Sequence, residues 1–489
     1  MLKLWNTESR TREAFGPISS DEVRMYSCGP TVYGRAHIGN LRAYVIWDVL
    51  KRLLKTDGYN VIHAMNITDV GHLADDADEG EDKMIKASRE QGKTAWDIAK
   101  EYEELFKQDT KNLNIVLPEP PLLCRATEHI EEQIKLIKAL EEKGYTYRTS
   151  DGIYFDTAKF PEYGKLSGQP LDEKLAGARV EASSEKKNGT DFALWKFSYP
   201  NGTNREEYLS QFPDPSLPTE ASAKEGSQIP SRSMEWPSPW GLGFPGWHVE
   251  CSAMSKKYLG QPFDIHTGGV DHIPVHHENE IAQSVCAYGV PLANFWLHNE
   301  FLTVDGQKMS KSLGNIYTLD DCKAHNIDAL ALRYFYLGAH YRQKLNFTWD
   351  AVSASQNALN KLRQTVRGWD ASTSVNLEYD DRFKAEIMDD INTASALGVL
   401  WEMVNDTNLP TSEKSATLAG WDQILGLELS SFIAKPVEIP ENVIAIANRR
   451  WEARSSKDWD TADRLRRELE TLGWTMQDGE DTYKLQPNK

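Results

Sequence analysis

Lys308-Met309-Ser310-Lys311-Ser312, followed by Leu313-Gly314-Asn315, sets two lysines three residues apart with hydroxyls at Ser310 and Ser312. In a loop that closes on a ligand, this set brings two point charges and two hydroxyls to a polyphosphate at once. A pyrophosphate leaving group needs such help, because its charge grows as the bond breaks. A solvated basic turn has the same composition. The second group is His37-Ile38-Gly39-Asn40. His37 and Asn40 would face phosphates at the start of a helix, where the macrodipole favours anions. Gly39 would let a ligand approach the backbone closely. The third group is Cys28, Cys251, His276 and Glu280, a mixture of donors that zinc accepts. His276 and Glu280, four apart, share a face if they lie on a helix. Cys28 would come from a strand end, and Cys251 from a second strand or a turn after Trp247-His248. These residues are not clustered in a CxxC manner, so core-filling cysteines and a polar helix start remain the alternatives.

The elements that must position these groups are legible in part. Residues 23–28 read as a buried strand, ended by the turn Gly29-Pro30-Thr31. A helix follows from about Asn40. Leu41, Val45, Val49 and Leu53 fall on one face with Ile46 and Leu50 beside them, and Asp57-Gly58 stops it. Residues 60–65 read as the next strand. Strand, helix, strand at this spacing is a parallel crossover, so the chain opens as a doubly wound α/β domain with ligands at the carboxyl ends of the strands. Cys28 and Thr68 both lie at such ends. Residues 94–112 read as a helix with a capping box at Thr94 and Asp97. Residues 128–143 read as another, and 145–148 with 153–155 as a hairpin. Residues 199–238, rich in Pro, Ser, Gly and Asn, read mostly as irregular loop. Beyond 315 the pattern turns helical, with spans expected at 329–337, 349–369 and 380–405. A basic helix pair through Arg449 and Arg467 and a hairpin at 474–485 complete the chain.

The 489 residues are 40% hydrophobic and 26% charged, ample for several domains. No apolar run is long enough to span a bilayer, and the N-terminus lacks a secretory pattern. Five scattered cysteines argue against a disulfide framework and for a reducing compartment. The net charge of −18 speaks against a protein that coats nucleic acid. It leaves room for a local basic face acting within a Debye length of about 8 Å.

The lysine loop and the His37 tetrapeptide together resemble the two signature sequences of class I aminoacyl-tRNA synthetases. Residues 26–33, 240–254 and 264–269, with His276-His277-Glu278-Asn279-Glu280, resemble the cysteinyl-tRNA synthetase family in order and spacing along residues 1–315. The helical remainder resembles the family's tRNA-contacting regions more weakly. The resemblance implies a Rossmann-like doubly wound parallel-sheet catalytic domain (1–115 and 240–320) with an inserted α/β connective block (116–239). It further implies a stem-contact helical region (321–375), a helical-bundle anticodon-binding domain (376–435) and a small C-terminal tRNA-contacting domain (436–489). The activity implied is ATP-dependent joining of L-cysteine to tRNA(Cys) in the cytoplasm, with no DNA and no membrane partner.

The site residues follow the same resemblance. Cys28, Cys251, His276 and Glu280 match the family's ligands for a single zinc ion. Thr68 and Trp247 match residues lining the amino-acid pocket, where a strand-end hydroxyl and a core Trp are the ordinary alternatives. Gly29, Thr31, His37, Gly39, Asn40, Gly268, Gly269, Lys308 and Lys311 are the expected ATP contacts, with Mg²⁺ accompanying ATP. Gly268-Gly269 can equally be a loop turn. His37, Asn40, Lys308 and Lys311 are the expected catalytic set. Three departures mark a divergent branch: Asn40 where most of the family has a second His, Phe244 where it usually has Arg, and Asp69-Val70-Gly71-His72-Leu73 in place of an acidic run.

A zinc-bound thiol ionises near neutral pH, whereas a serine hydroxyl does not. An apolar pocket separates near-isosteres by only about 1–3 kcal/mol, so thiolate binding removes the need for editing. Two rivals share the residues. One is a ligase of the same fold that joins cysteine to an amino sugar and lacks an anticodon-binding extension. The other is a zinc-dependent thiol sensor with a dead nucleotide site, which would not need leaving-group lysines.

Overall fold

The structure is a computed structural model that describes residues 1–70, 87–88, 90–169, 185–204, 234–435, 439–479 and 482–487. The described chain divides into two units: Met1–Gln356 with Leu377–Asn405 and Gly420–Leu427, and Asn357–Asn376 with Asp406–Ala419 and Glu428–Lys489.

The first unit opens with an antiparallel pair, Lys3–Asn6 (β1) and Thr11–Ala14 (β2). Next come Glu22–Ser27 (β3), Ile38–Thr56 (α1) and Asn60–Ile67 (β4). Strands β3 and β4 pair in parallel, so α1 is the expected crossover. Its apolar stripe is fully seated, with Leu41, Val45, Ile46, Val49 and Leu50 at 0% exposure and Leu53 at 2%. Each such burial contributes roughly 1.5–3 kcal/mol, which outweighs the β-branched residues in the stripe. Ala95–Asn112 (α2) begins at the Thr94–Asp97 capping box read from the sequence. Leu123–Arg125 (β5) then joins the sheet beside β4.

Ile130–Glu142 (α3) leads into a second, antiparallel sheet. Its strands are Thr146–Arg148 (β6), Gly152–Phe155 (β7), Phe192–Phe197 (β8), Trp236–Ser238 (β9) and Gly241–Pro245 (β10), in the order β6-β7-β8-β10-β9. Two expectations change here. Residues 236–238, read as irregular loop, form the edge strand β9, where Pro237 sacrifices no ladder bond inside the sheet. Residue 240, read as the return to the nucleotide domain, instead precedes β10, whose Phe244 pairs with Lys196 of β8. Residues 205–233 of the expected loop, and Gly71-His72-Leu73, lie outside the described residues.

Trp247–Leu259 (α4), Phe263–Gly269 (β11), His276–Tyr288 (α5) and Ala293–Asn299 (β12) complete the parallel layer, whose order is β12-β11-β3-β4-β5. Its carboxyl ends at Ser27, Ile67 and Gly269 are adjacent. Beyond it, Leu302–Val304 (β13) pairs antiparallel with Gln307–Lys308 (β14) and parallel with Leu345–Phe347 (β15). Two helices follow β14, Leu319–Ala324 (α6) and Ala329–Leu337 (α7). Arg333 of α7 is fully buried. It donates to the carbonyls of Leu425 (2.7 Å) and Leu113 (2.9 Å) and to Asp48 Oδ2 of α1 (2.7 Å).

Trp349–Arg367 (α8) begins in the first unit. The span 380–405, expected as one helix, is two: Leu377–Ile387 (α9) and Thr393–Asn405 (α10). Asp390 and Ile391 have φ of 63° and 55° between them. The buried Asp390 carboxylate accepts from Trp5 N (2.8 Å), Tyr341 Oη (2.7 Å) and Arg342 Nε (2.7 Å). Those long-range bonds override the local apolar periodicity. Thr411–Leu425 (α11) follows.

The second unit contains Glu441–Ser455 (α12), Trp459–Thr471 (α13) and the antiparallel pair Trp474–Asp478 (β16) and Tyr483–Pro487 (β17). Val443, Ile446, Ala447, Leu465, Leu469, Trp474 and Met476 form its core. The basic pair is partly structural, since Arg450 is buried and binds Asp478 through both terminal nitrogens. Among the described residues no helix is long and apolar enough to cross a membrane.

Candidate metal and nucleotide site

Cys28, Cys251, His276 and Glu280 come together. One ligand atom from each lies within 4.8 Å of all the others. Cys28 follows β3 at the carboxyl edge of the parallel sheet. Cys251 sits in the second turn of α4, not on the strand or turn expected for it. Gly246 caps the start of this helix, and a Cβ there would come within 2.0 Å of Ala193 O, so glycine lets the chain press against β8 just where the helix begins. His276 and Glu280 occupy the first turns of α5, and His276 Nε2 is 2.9 Å from Glu280 Oε1.

The chemistry of this cluster suits a soft divalent cation. Burial pushes both thiols above their ordinary range, which favours neutral sulfurs. Burial also opposes the charges on His276 and Glu280. Glu280 and Cys251 nevertheless hold His276 up to about 10, and His266 and His276 hold Glu280 below the usual carboxylate range. His266 Nε2 stands 2.6 Å from Glu280 Oε2, yet neither Glu280 oxygen is aligned for a hydrogen bond. A buried carboxylate with lone pairs uncommitted beside two thiols and an imidazole fits zinc. Two smaller groupings, Cys28-His272-His277 and His266-His277-Glu280, share members with it. The four-residue set holds both sulfurs.

Several of the supporting residues were not singled out by sequence reasoning. His248 Nδ1 lies 2.9 Å from His276 Nδ1. His277 links Cys28 Sγ (3.4 Å) to His298 Nε2 (2.7 Å). His277 lies within the His276–Glu280 segment and His248 beside Trp247. His298 had only its strand alternation with Trp296 to mark it.

Trp247 and Thr68 flank the cluster. The Trp247 ring centroid is 4.6 Å from that of His276. Thr68, just past β4, donates from Oγ1 to Glu250 Oε2 at 2.8 Å. Thr31 bridges Thr68, with Val32 N donating to Thr68 O (3.0 Å). Gly29 must be glycine here, because a Cβ would lie 1.7 Å from Asn66 O. Gly268 and Gly269 end β11 beside this edge. A Cβ on Gly268 would meet His272 and His277 at 2.5 and 2.6 Å, and one on Gly269 would meet Asp271 at 2.3 Å. Packing of neighbouring side chains is therefore reason enough for both glycines. Phe244, the departure from Arg, is 3% exposed within β10.

The two signature segments meet at the start of α1. His37 is the N-cap: its Nδ1 accepts from Gly39 N (3.1 Å) and Asn40 N (3.3 Å). Asn40 Oδ1 accepts in return from His37 N at 3.1 Å, closing a capping box. Asn40 thus has a structural task besides any ligand contact. Ile38 N donates to Tyr317 O (2.9 Å), tethering the chain after the lysine loop. Asn315 ties the loop's ends, accepting from Ser310 N (2.8 Å) and donating to Lys308 O (3.2 Å). Met309 lies over Gly39, whose Cβ would stand 2.3 Å from Met309 Cε.

Residues 14–211 and 222–357 match the family described as tRNA synthetases class I (C) catalytic domain, and residues 382–429 match the DALR domain. Cysteine–tRNA ligase 1 of Burkholderia lata is 48% identical over 485 residues, covering 99% of this chain and 96% of that protein. Cysteine–tRNA ligase of Treponema denticola is 40% identical and covers 99% of both chains. Among solved structures, Mycobacterium tuberculosis methionyl-tRNA synthetase in complex with methionyl-adenylate aligns with a TM-score of 0.55. Identity there is 16%, over 84% of this chain and 90% of that one, a likeness of fold. With its catalytic domain matched and its relatives alike from end to end, this chain belongs to the cysteine–tRNA ligase family of class I tRNA synthetases.

Proposed function

We propose that the chain activates L-cysteine with ATP and transfers the cysteinyl group to the terminal ribose of tRNA(Cys) in the cytoplasm, choosing cysteine through its sulfur. The observation that carries this reading is the buried Cys28-Cys251-His276-Glu280 cluster at the carboxyl edge of the parallel sheet. Bound there, zinc would supply a soft centre that holds the ionised sulfur of cysteine and gives the hydroxyl of serine little.

The protein's own groups do the rest. Thr68 and Trp247 orient the amino acid so that a carboxylate oxygen meets the α-phosphorus of ATP. The N-terminus of α1 and His37 hold the phosphates, and Lys308 and Lys311 take up the charge that develops on pyrophosphate as it leaves; Mg²⁺ accompanying ATP would add to that neutralisation. The bond between the α-phosphorus and the bridging oxygen breaks as the carboxylate–phosphorus bond forms. In the second step the 2′-hydroxyl oxygen of the terminal ribose attacks the cysteinyl carbonyl carbon. AMP leaves with the bonding electrons and the hydroxyl proton is released. No covalent enzyme intermediate is needed, since positioning and charge stabilisation carry both steps. The DALR match and the end-to-end likeness support tRNA as the acceptor over an amino sugar. Residues 321–375, 376–435 and 436–489 are its proposed contact regions.

Metal content measured beside cysteine-dependent ATP–pyrophosphate exchange tests the reading. Enzyme stripped of metal should lose both cysteine activation and preference over serine. If stripped enzyme still activates cysteine and rejects serine, the metal-centred reading is wrong.

A further inference from the structure

Glu250 lies in α4 immediately before Cys251. It is fully buried, and its Oε1 atom has no hydrogen-bond partner among the described residues. A carboxylate in that setting needs a reason, because an unmet buried polar atom is costly. The reason lies in a chain of hydrogen bonds whose direction is fixed from one end.

Gly29 N, a backbone group that can only donate, gives its proton to Asn66 Oδ1 at 2.7 Å. That fixes the amide: Asn66 Nδ2 faces Thr68 and donates to Oγ1 at 3.0 Å. The Thr68 oxygen accepts there, so its own proton must go elsewhere. It goes to Glu250 Oε2 at 2.8 Å. Oε2 accepts whether the carboxyl is ionised or carries a proton on Oε1. A hydroxyl has one proton and two lone pairs. With the proton given to Glu250 and one lone pair taken by Asn66, Thr68 offers the pocket a single remaining lone pair.

We infer that Glu250 is a positioning residue for the amino acid: by holding the Thr68 proton, it makes Thr68 an acceptor that receives the substrate's ammonium and cannot donate to its carboxylate. This rests on the reading of Thr68 as a pocket residue and adds which end of cysteine it holds. The carboxylate is thereby left free to turn toward ATP. Glu250→Gln would break the polarity, because a side-chain amide turned toward Thr68 can donate. Thr68 could then rotate its proton into the pocket.

The test uses full-length metal-loaded enzyme and three thiols: cysteine, cysteamine (no carboxylate) and 3-mercaptopropionate (no amine). Exchange gives KM and kcat for cysteine, and the other two are measured as inhibitors. In E250Q the KM for cysteine and the Ki for cysteamine should rise about 10- to 100-fold. The Ki for 3-mercaptopropionate and the zinc content should stay at parental values. T68V should show the same pattern and T68S should restore it, which keeps the test open if E250Q fails to fold. A rise in T68V without one in E250Q would overturn the role of Glu250 while sparing Thr68 as a contact. Equal weakening of all three thiols in T68V would overturn the ammonium assignment. Unchanged values in T68V would remove Thr68 from the pocket, and the inference with it.

Discussion

Replacing Gly39 with alanine perturbs the junction of the two signature segments and little else. The new Cβ would stand 2.3 Å from Met309 Cε and 3.1 Å from the His37 ring. Reaching ordinary contact requires Met309 to retreat by about 1 Å, and a misplacement of that size near the reacting groups costs up to about 100-fold in rate. Folding should barely register it. The clashing atom is the end of a flexible side chain, and alanine favours the helix by roughly 0.5–1 kcal/mol. The expected result is an unchanged or slightly raised Tm with cysteine-dependent ATP–pyrophosphate exchange reduced 10- to 100-fold. Met309→Ala removes the atom that is struck, so Gly39→Ala should cost less than about threefold in that background, a coupling of the size seen between residues in contact. Parental exchange in the single variant would refute the reasoning. So would an equal loss in both backgrounds, which would place the effect on the His37 ring or the backbone.

Further outcomes are expected. Lys311→Ala should lower pyrophosphate exchange by about 100- to 1,000-fold with metal content intact, read in a steady-state exchange assay. His276→Ala should lose bound zinc by elemental analysis and, with it, discrimination between cysteine and serine. Arg333→Met removes the buried donor to the carbonyls of Leu425, Leu113 and Asn114 and to Asp48, of which Asn114 and Asp48 keep a bond from Arg52, and should cost about 3–5 kcal/mol in denaturant unfolding of the whole chain. Asp69 is pushed up to about 6 by burial, with Thr127 pulling the other way. A raised carboxyl favours the folded state below about pH 4 and loses that contribution as pH climbs through 6, roughly 3 kcal/mol in all. Asp69→Asn should therefore gain stability on its parent between pH 4 and 7. Parallel stability–pH curves for the two proteins would contradict this.

The parallel sheet, the α1 stripe, the Thr94 capping box and the C-terminal helix pair with its hairpin were legible because each is governed by local periodicity or caps. The break at Asp390 was not, since it answers to Trp5, Tyr341 and Arg342 far away in sequence. The strand at 236–238 was hidden by proline, tolerated there only because β9 is an edge. In the site, the i, i+4 spacing of His276 and Glu280 showed itself on the page, as did Cys28 at a strand end. Cys251 lies on a helix where the sequence suggests a strand or turn, and the packing of Gly246 against Ala193 at that helix's start joins segments distant in sequence. The histidines behind the cluster and the Asn66–Thr68–Glu250 chain belong to no spacing rule. They exist only once three elements meet.

His37 spends its Nδ1 lone pair on two backbone amides. The ring proton must therefore reside on Nε2, and the ring can stay a cap only while it is uncharged. Burial, opposed by Asp271, lowers its pKa and keeps it so. What the imidazole has left to offer any ligand is thus a single N–H of fixed direction. Acidification would put a second proton on the ring and unfasten the helix start.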